Sequence, residues 1–185
     1  MALKPTIYKF TISVSDFNHD YYDTANLTVA LHPSETVERM MARVFAYCLH
    51  LHQDTEQRMS FTKGLSAIEE PDIWIRGLDD QLYLWIDVGE PSFERIKKSC
   101  RLAKQTCVYS FNSKSTVWWK QVQPQFETLP VKVVSFDWES IQGVSQLVDR
   151  TMDLSISIND TTAFVTCGDQ QRDVNWHTLQ LFADS

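Results

Sequence analysis

At His32–Pro33 the hydrophobic period of the chain changes, and that change limits the folds open to it. Before it, residues 5–17 (PTIYKFTISVSDF) set Tyr8, Phe10, Ile12 and Val14 on one side and Lys9, Thr11 and Ser13 on the other. That alternation describes a strand with one buried face. DFNHD follows as turn chemistry. In TANLTVAL the alternation resumes through Leu27, Val29 and Leu31, so residues 1–31 predict a β-hairpin. After it, HPSETVERMMARVFAYCLHLH places Val37, Met40, Met41, Val44, Cys48 and Leu51 on one face at helical spacing. Pro33 suits a first helical position, and Glu35 suits a first turn, where the helix dipole favours an acid. The spacing predicts a helix over about residues 33–53, with Glu38 at the edge of its apolar face and Glu35 pointing further into solvent.

The two periods go on exchanging. QRMSFTKGL reads as a short strand. DIWIRG and QLYLWIDVG, separated by GLDDQ, read as a hairpin. PSFERIKKSCRLAKQ is helical, TCVYSF a strand, SKSTVWWKQVQPQF a short helix ended near Pro124, LPVKVVSF a strand and DWESIQGVSQLVD a helix. MDLSISIND, TAFVTCG and RDVNWHTLQ complete a three-strand meander. The predicted class is a mixed α/β protein, an α+β arrangement in a single domain over residues 1–185. Its centre is a helix, three strands, a helix and a strand, and its terminal strands form a second sheet.

Hydrophobic residues make up 43% of the 185, enough for a core without disulfide staples. Cys48, Cys100, Cys107 and Cys167 show neither a CxxC pair nor zinc-type spacing, so they predict free thiols in a reducing compartment. The chain lacks an apolar run near the roughly 18 residues of a membrane span, and its start turns polar too early for a signal peptide. A cytoplasmic location follows as an expectation. The net charge of −7 does not support nucleic-acid binding unless positive charge is concentrated locally. The densest basic segment holds Arg95, Lys97, Lys98, Arg101 and Lys104.

Chemistry is suggested by four residues in order. Glu38 borders the apolar face of the first helix. Asp72 opens an apolar strand in EEPDIW. Asp87 ends the next strand in LWIDVGEP, on the face shared by Tyr83 and Trp85. Lys97 borders the apolar face of the following helix. Each has a plainer role available: an edge acid paired with arginine, a turn closure, a loop start, a solvated cation with a buried stem. Carboxylates converging at strand ends, however, suit a hard divalent cation such as Mg²⁺ or Mn²⁺. Such an ion lowers the pKa of a bound water and offsets charge on a phosphodiester under attack. His50 and His52 point about 200° apart on a helix and share no metal there. Trp118 and Trp119 could stack on bases but fit core packing better. With five glycines there is no Gly-rich phosphate loop.

HPSETVERMMAR, FTKGL, EPDIW, LWIDVGEPSFERIKKSC and TCVYSFNS together resemble the bacterial YaeQ family, and the resemblance runs through almost the whole chain. It implies a fold related to the PD-(D/E)xK, restriction-endonuclease-like group. The core would span about residues 32–135, with the N-terminal hairpin 1–31 and the C-terminal meander 150–178 packed together. It implies Pro71-Asp72 as the "PD", Asp87 as the "(D/E)" and Glu38 as the helical acid, these three binding the metal. Where the pattern asks for lysine this chain has Gly89, and Lys97 would take over that role. Two functions follow as expectations. One is a Mg²⁺- or Mn²⁺-dependent phosphodiesterase acting on nucleic acid, with Glu38, Asp72, Asp87 and Lys97 as its catalytic set. The other is a module that kept the fold, lost the chemistry and recruits a protein partner.

Overall fold

The computed structural model describes residues 3–182, so the first two and last three residues of the chain lie outside it. The described residues divide into two compact units, one running up to Gln53 and resuming over Asp137–Trp176, the other over Asp54–Phe136 and from His177 onward.

In the first unit, β1 (Thr6–Asp16) and β2 (Tyr21–Leu31) form the expected hairpin, paired from Thr6 with Leu31 to Asp16 with Tyr21. β1 also runs parallel to β8 (Thr151–Asn159), which pairs antiparallel with β9 (Thr162–Cys167). β9 in turn pairs with the start of β10 (Gln170–Gln180). The parallel ladder of β1 and β8 runs from Lys9 opposite Thr151 to Asp16 opposite Ile158. Period two sets the face: Phe10, Ile12, Val14, Met152, Leu154, Ile156 and Ile158 are all buried. Asn18 and Asp160 exchange hydrogen bonds of 2.9 Å, which tie the turn of the hairpin to the turn after β8.

α1 (Val37–His50) starts later than the spacing predicts, because Thr36 caps it by accepting from the Arg39 amide. His32–Glu35 form a turn before it, and Leu51–Gln53 continue it as one 3₁₀ turn. Every residue from Met40 to Cys48 is buried, Arg43 and Tyr47 included, so the single apolar face is too narrow a reading. The Glu35 side chain is not in solvent either; it is 2% exposed. It accepts from Arg39 Nη1 at 2.9 Å and Arg43 Nε at 2.7 Å, and Arg43 also donates to the Ala30 carbonyl. A carboxylate shared by two guanidiniums, one of them buried, explains how a charged network survives where the wheel expects water. α4 (Trp138–Ser145), capped by Asp137, packs on α1.

The second unit holds β3 (Met59–Phe61), β4 (Ile73–Arg76), β5 (Leu82–Val88), β6 (Ala103–Ser110) and β7 (Val131–Phe136), adjacent in that order. The first three are antiparallel, whereas β5, β6 and β7 are parallel. Parallel neighbours need crossovers. α2 (Phe93–Leu102) and α3 (Ser115–Phe126) supply them. Ile96, Val108, Trp118, Trp119, Phe126, Val131 and Val133 form one buried cluster. The tryptophan pair is thus core, stacked edge-on against Phe126. β6 begins at Ala103, three residues before the predicted strand, directly where α2 ends. No helix among the described residues is long and apolar enough to cross a membrane.

Candidate functional site

Asp72 and Asp87 are brought together by the β4–β5 pairing. Ile73 lies opposite Ile86, and the Asp72 amide donates to the Ile86 carbonyl at 3.0 Å. The strand-entry acid thus stands beside the strand-end acid. Both are buried, at 5% and 3% exposure. Asp72 Oδ2 accepts from the Val88 amide at 2.8 Å and so closes the ladder where β5 ends.

The next residue explains the absent lysine. Gly89 has φ +121°, and its amide donates to the Tyr109 carbonyl of β6. A Cβ there would meet nothing within 4 Å, so conformation, rather than space, keeps side chains out. L-residues rarely adopt that φ. The chain then turns into α2, where Ser92 caps the helix by accepting from the Arg95 amide.

Arg95 stands one turn into α2 and reaches back to the strand. Its Nε donates to Asp87 Oδ2 at 2.8 Å and its Nη2 to Asp87 Oδ1 at 2.9 Å, a two-point fork on one carboxylate. The remaining donors go to the preceding loop: Nη2 to the Glu70 carbonyl at 2.8 Å and Nη1 to the Ile68 carbonyl. The guanidinium also lies over the Trp85 ring, 5.9 Å from its centroid. Burial pushes the Asp87 carboxyl above its usual range; the Arg95 fork works against that, and the negative charge of Asp72 adds to it. The same fork raises Arg95 and keeps it charged. Both oxygens of Asp87 are therefore neutralised by a guanidinium, and while the fork holds they do not fit a divalent cation.

The other two candidates have surroundings of their own. Lys97 Nζ lies 5.6 Å over the Phe93 ring, and Lys98 pairs with Glu69. The cation on Asp87 is Arg95, two residues before the expected lysine. Glu38 is half-buried in the first turn of α1, in the first unit. Sequence reasoning placed Arg95 in a basic run without a role. Its signal was position: third in a helix that leaves directly from the strand bearing Asp87.

A second group, absent from the sequence reading, lies in the first unit. Asp16, His19 and His52 present ligand atoms all within 4.8 Å of one another. Asp16 is the last residue of β1, His19 is in the hairpin turn, and His52 is in the 3₁₀ turn after α1.

A family model described as YaeQ protein matches residues 1–176. The uncharacterised protein YaeQ of Escherichia coli (strain K12) is 39% identical over 179 residues, covering 95% of this chain and 96% of that protein. Its namesake from Salmonella typhi is 40% identical over 164 residues, covering 86% and 87%. The crystal structure of YaeQ from Xanthomonas axonopodis pv. citri superposes with a TM-score of 0.90 at 28% identity, covering 96% of this chain and 99% of that one. That of YaeQ from Pseudomonas syringae gives 0.87 at 30% identity, covering 95% and 96%.

Proposed function

The chain belongs to the YaeQ family, and we propose that it is a protein-binding module on a restriction-endonuclease-like core, in which Arg95 neutralises Asp87 in place of Mg²⁺ or Mn²⁺. The observation that carries this reading is the two-point Arg95–Asp87 fork. An ion would have to compete with a guanidinium already matched to both carboxylate oxygens. The same arginine pins the loop before β4, and that loop carries Leu65 and Ile68, which are 44% and 81% exposed. An apolar loop held on a rigid sheet suits recruitment of a protein partner. The acidic total of the chain works against a nucleic-acid substrate.

The hydrolase reading keeps one observation in its favour, the buried Asp72 beside the buried Asp87. In that reading Glu38, Asp72 and Asp87 hold the metal, Lys97 assists the attacking water, and Arg95 must first leave Asp87. One experiment separates the two. Purified protein is incubated with Mg²⁺ or Mn²⁺ and single- or double-stranded DNA and RNA, alongside Asp87→Asn. The module gives no cleavage above that control. In parallel, Ile68→Asp reduces the partner recovered by cross-linking in cells. Metal-dependent cleavage that disappears in Asp87→Asn overturns the module and establishes the hydrolase.

A further inference from the structure

We propose that Asp16, His19 and His52 form a binding site for one divalent transition-metal ion of the zinc class, separate from the Asp72–Asp87 pair. Strand periodicity dictates the first ligand. Phe10, Ile12 and Val14 face the core, and Asp16 continues that face at 1% exposure. A carboxylate so placed needs a partner. Asp16 Oδ1 accepts from the Asn18 amide at 3.0 Å, which fixes the plane of the carboxylate. Oδ2 remains directed at two imidazoles: His19 Nδ1 at 2.8 Å and His52 Nδ1 at 3.7 Å.

Two imidazole nitrogens and one carboxylate oxygen are a borderline donor set, suited to zinc, cobalt or nickel rather than to Mg²⁺, which prefers oxygen. With bonds of about 2.0–2.2 Å, ligand atoms around a tetrahedral zinc lie about 3.4 Å apart. The two observed separations, 2.8 and 3.7 Å, bracket that value. The second shell is in place as well, since orientation of a ligating carboxylate by a backbone amide is what holds such sites rigid. The Asn18–Asp160 hydrogen bonds fix the turn that carries His19. The His19 side chain is 45% exposed, so an ion has a way in and water can fill a fourth position.

The two rings stack, with centroids 3.5 Å apart and planes 7° from parallel. In parallel rings the in-plane directions out of the two Nδ1 atoms run side by side and do not converge. Ligation therefore turns the rings apart. Ligation through Nδ1 also requires a neutral His19 ring to carry its proton on Nε2.

The test is titration of the full chain with Co²⁺, followed by visible ligand-field absorption, with displacement by Zn²⁺. One equivalent of Co²⁺ is expected to give an absorption band that Zn²⁺ removes and Mg²⁺ does not. Zn²⁺ should also raise the melting temperature by several degrees. His19→Ala and His52→Ala each weaken binding by at least about tenfold and abolish the melting shift, while the exposed His177→Ala changes neither. His19→Ala alters an exposed turn position and leaves the core intact, so its loss of binding reports on the ligand. Absence of a band, or affinity unchanged in both variants, overturns the site. So does affinity that falls equally in His177→Ala, which would mark diffuse surface binding.

Discussion

Replacing Arg95 by methionine keeps the apolar stem and removes the fork. Asp87 is then left buried at 3% exposure, beside Asp72, with no cation. Breaking a buried ion pair from one side costs about 3–5 kcal/mol. Here the Arg95 side chain is 29% exposed, so water can reach part of the vacated space, and about 2–3 kcal/mol is a better expectation. The Ile68 and Glu70 carbonyls lose their donor too, but a loop carbonyl can turn to water. For a chain of this size the loss lowers the melting temperature by roughly 5–10 °C. The pH dependence carries the sharper test. Burial already holds the Asp87 carboxyl above its usual range in the folded protein. Without Arg95 it rises further, so the folded state holds a proton that the unfolded state gives up above the ordinary aspartate value of about 3.9. Stability of the variant then falls as pH rises, by about 1.4 kcal/mol per pH unit, until the folded carboxyl ionises. A deficit of about 2–3 kcal/mol relative to wild type thus develops over roughly two pH units once the pH passes the already raised Asp87 value of the wild type, and is small below it. The assay is urea unfolding of wild type, Arg95→Met, Asp87→Asn and the double variant at several pH values. The double variant should recover about 1–3 kcal/mol relative to the sum of the single ones. A deficit independent of pH, or strict additivity, would refute the claim that Arg95 acts by neutralising Asp87.

Gly89→Ala and Gly89→Lys should each cost about 1–3 kcal/mol, because φ +121° strains any side chain, and restoring the pattern lysine should yield no Mg²⁺-dependent cleavage; denaturant melts and a cleavage assay report both. Glu35→Gln leaves Arg39 and the buried Arg43 with a neutral partner and should cost about 2–4 kcal/mol by urea titration; a cost below about 0.5 kcal/mol would make the network dispensable. Burial pushes the Cys48 and Cys107 thiols up to about 12, so at neutral pH both should resist alkylation until the chain unfolds, while the half-buried Cys167 reacts in the native protein. Mass spectrometry after timed labelling decides this, and early modification of Cys107 would count against it.

Where one element dictates its own burial, the sequence was enough. Strand alternation placed Phe10, Ile12, Val14, Leu27 and Val29 correctly, and the run around Val108 and Val133 was recognisable as buried strand. It was insufficient for α1, because a wheel shows what one face prefers and not what covers the rest. Arg43 is buried because Glu35 and the Ala30 carbonyl, both outside the helix, receive its charge. The cap moved for a related reason: Pro33 permits a helix start, but the Thr36 hydroxyl is placed to accept the Arg39 amide.

The acids teach the same lesson more pointedly. Period two puts Asp16 on the inner face of β1, whereas Asp87 belongs to a stretch of β5, residues 84–88, that is buried on both faces. Read as turn chemistry, Asp16 attracted no role, although the argument applied to Asp87 covers it equally. A buried carboxylate must meet a donor, so burial alone predicts that each has one. It cannot predict which, since the donor arrives from a different element. For Asp87 it is a guanidinium eight residues on, aimed by the Ser92 cap; for Asp16 it is a pair of imidazoles, one from its own turn and one from beyond α1. An arginine fork is a finished pair, with every oxygen matched. A carboxylate flanked by two imidazoles presents one oxygen and two ring nitrogens, a mixed donor set that a guanidinium does not offer. That difference in donor type is why the metal site proposed above is placed at Asp16, and it is what the Co²⁺ titration weighs against the Asp87 fork.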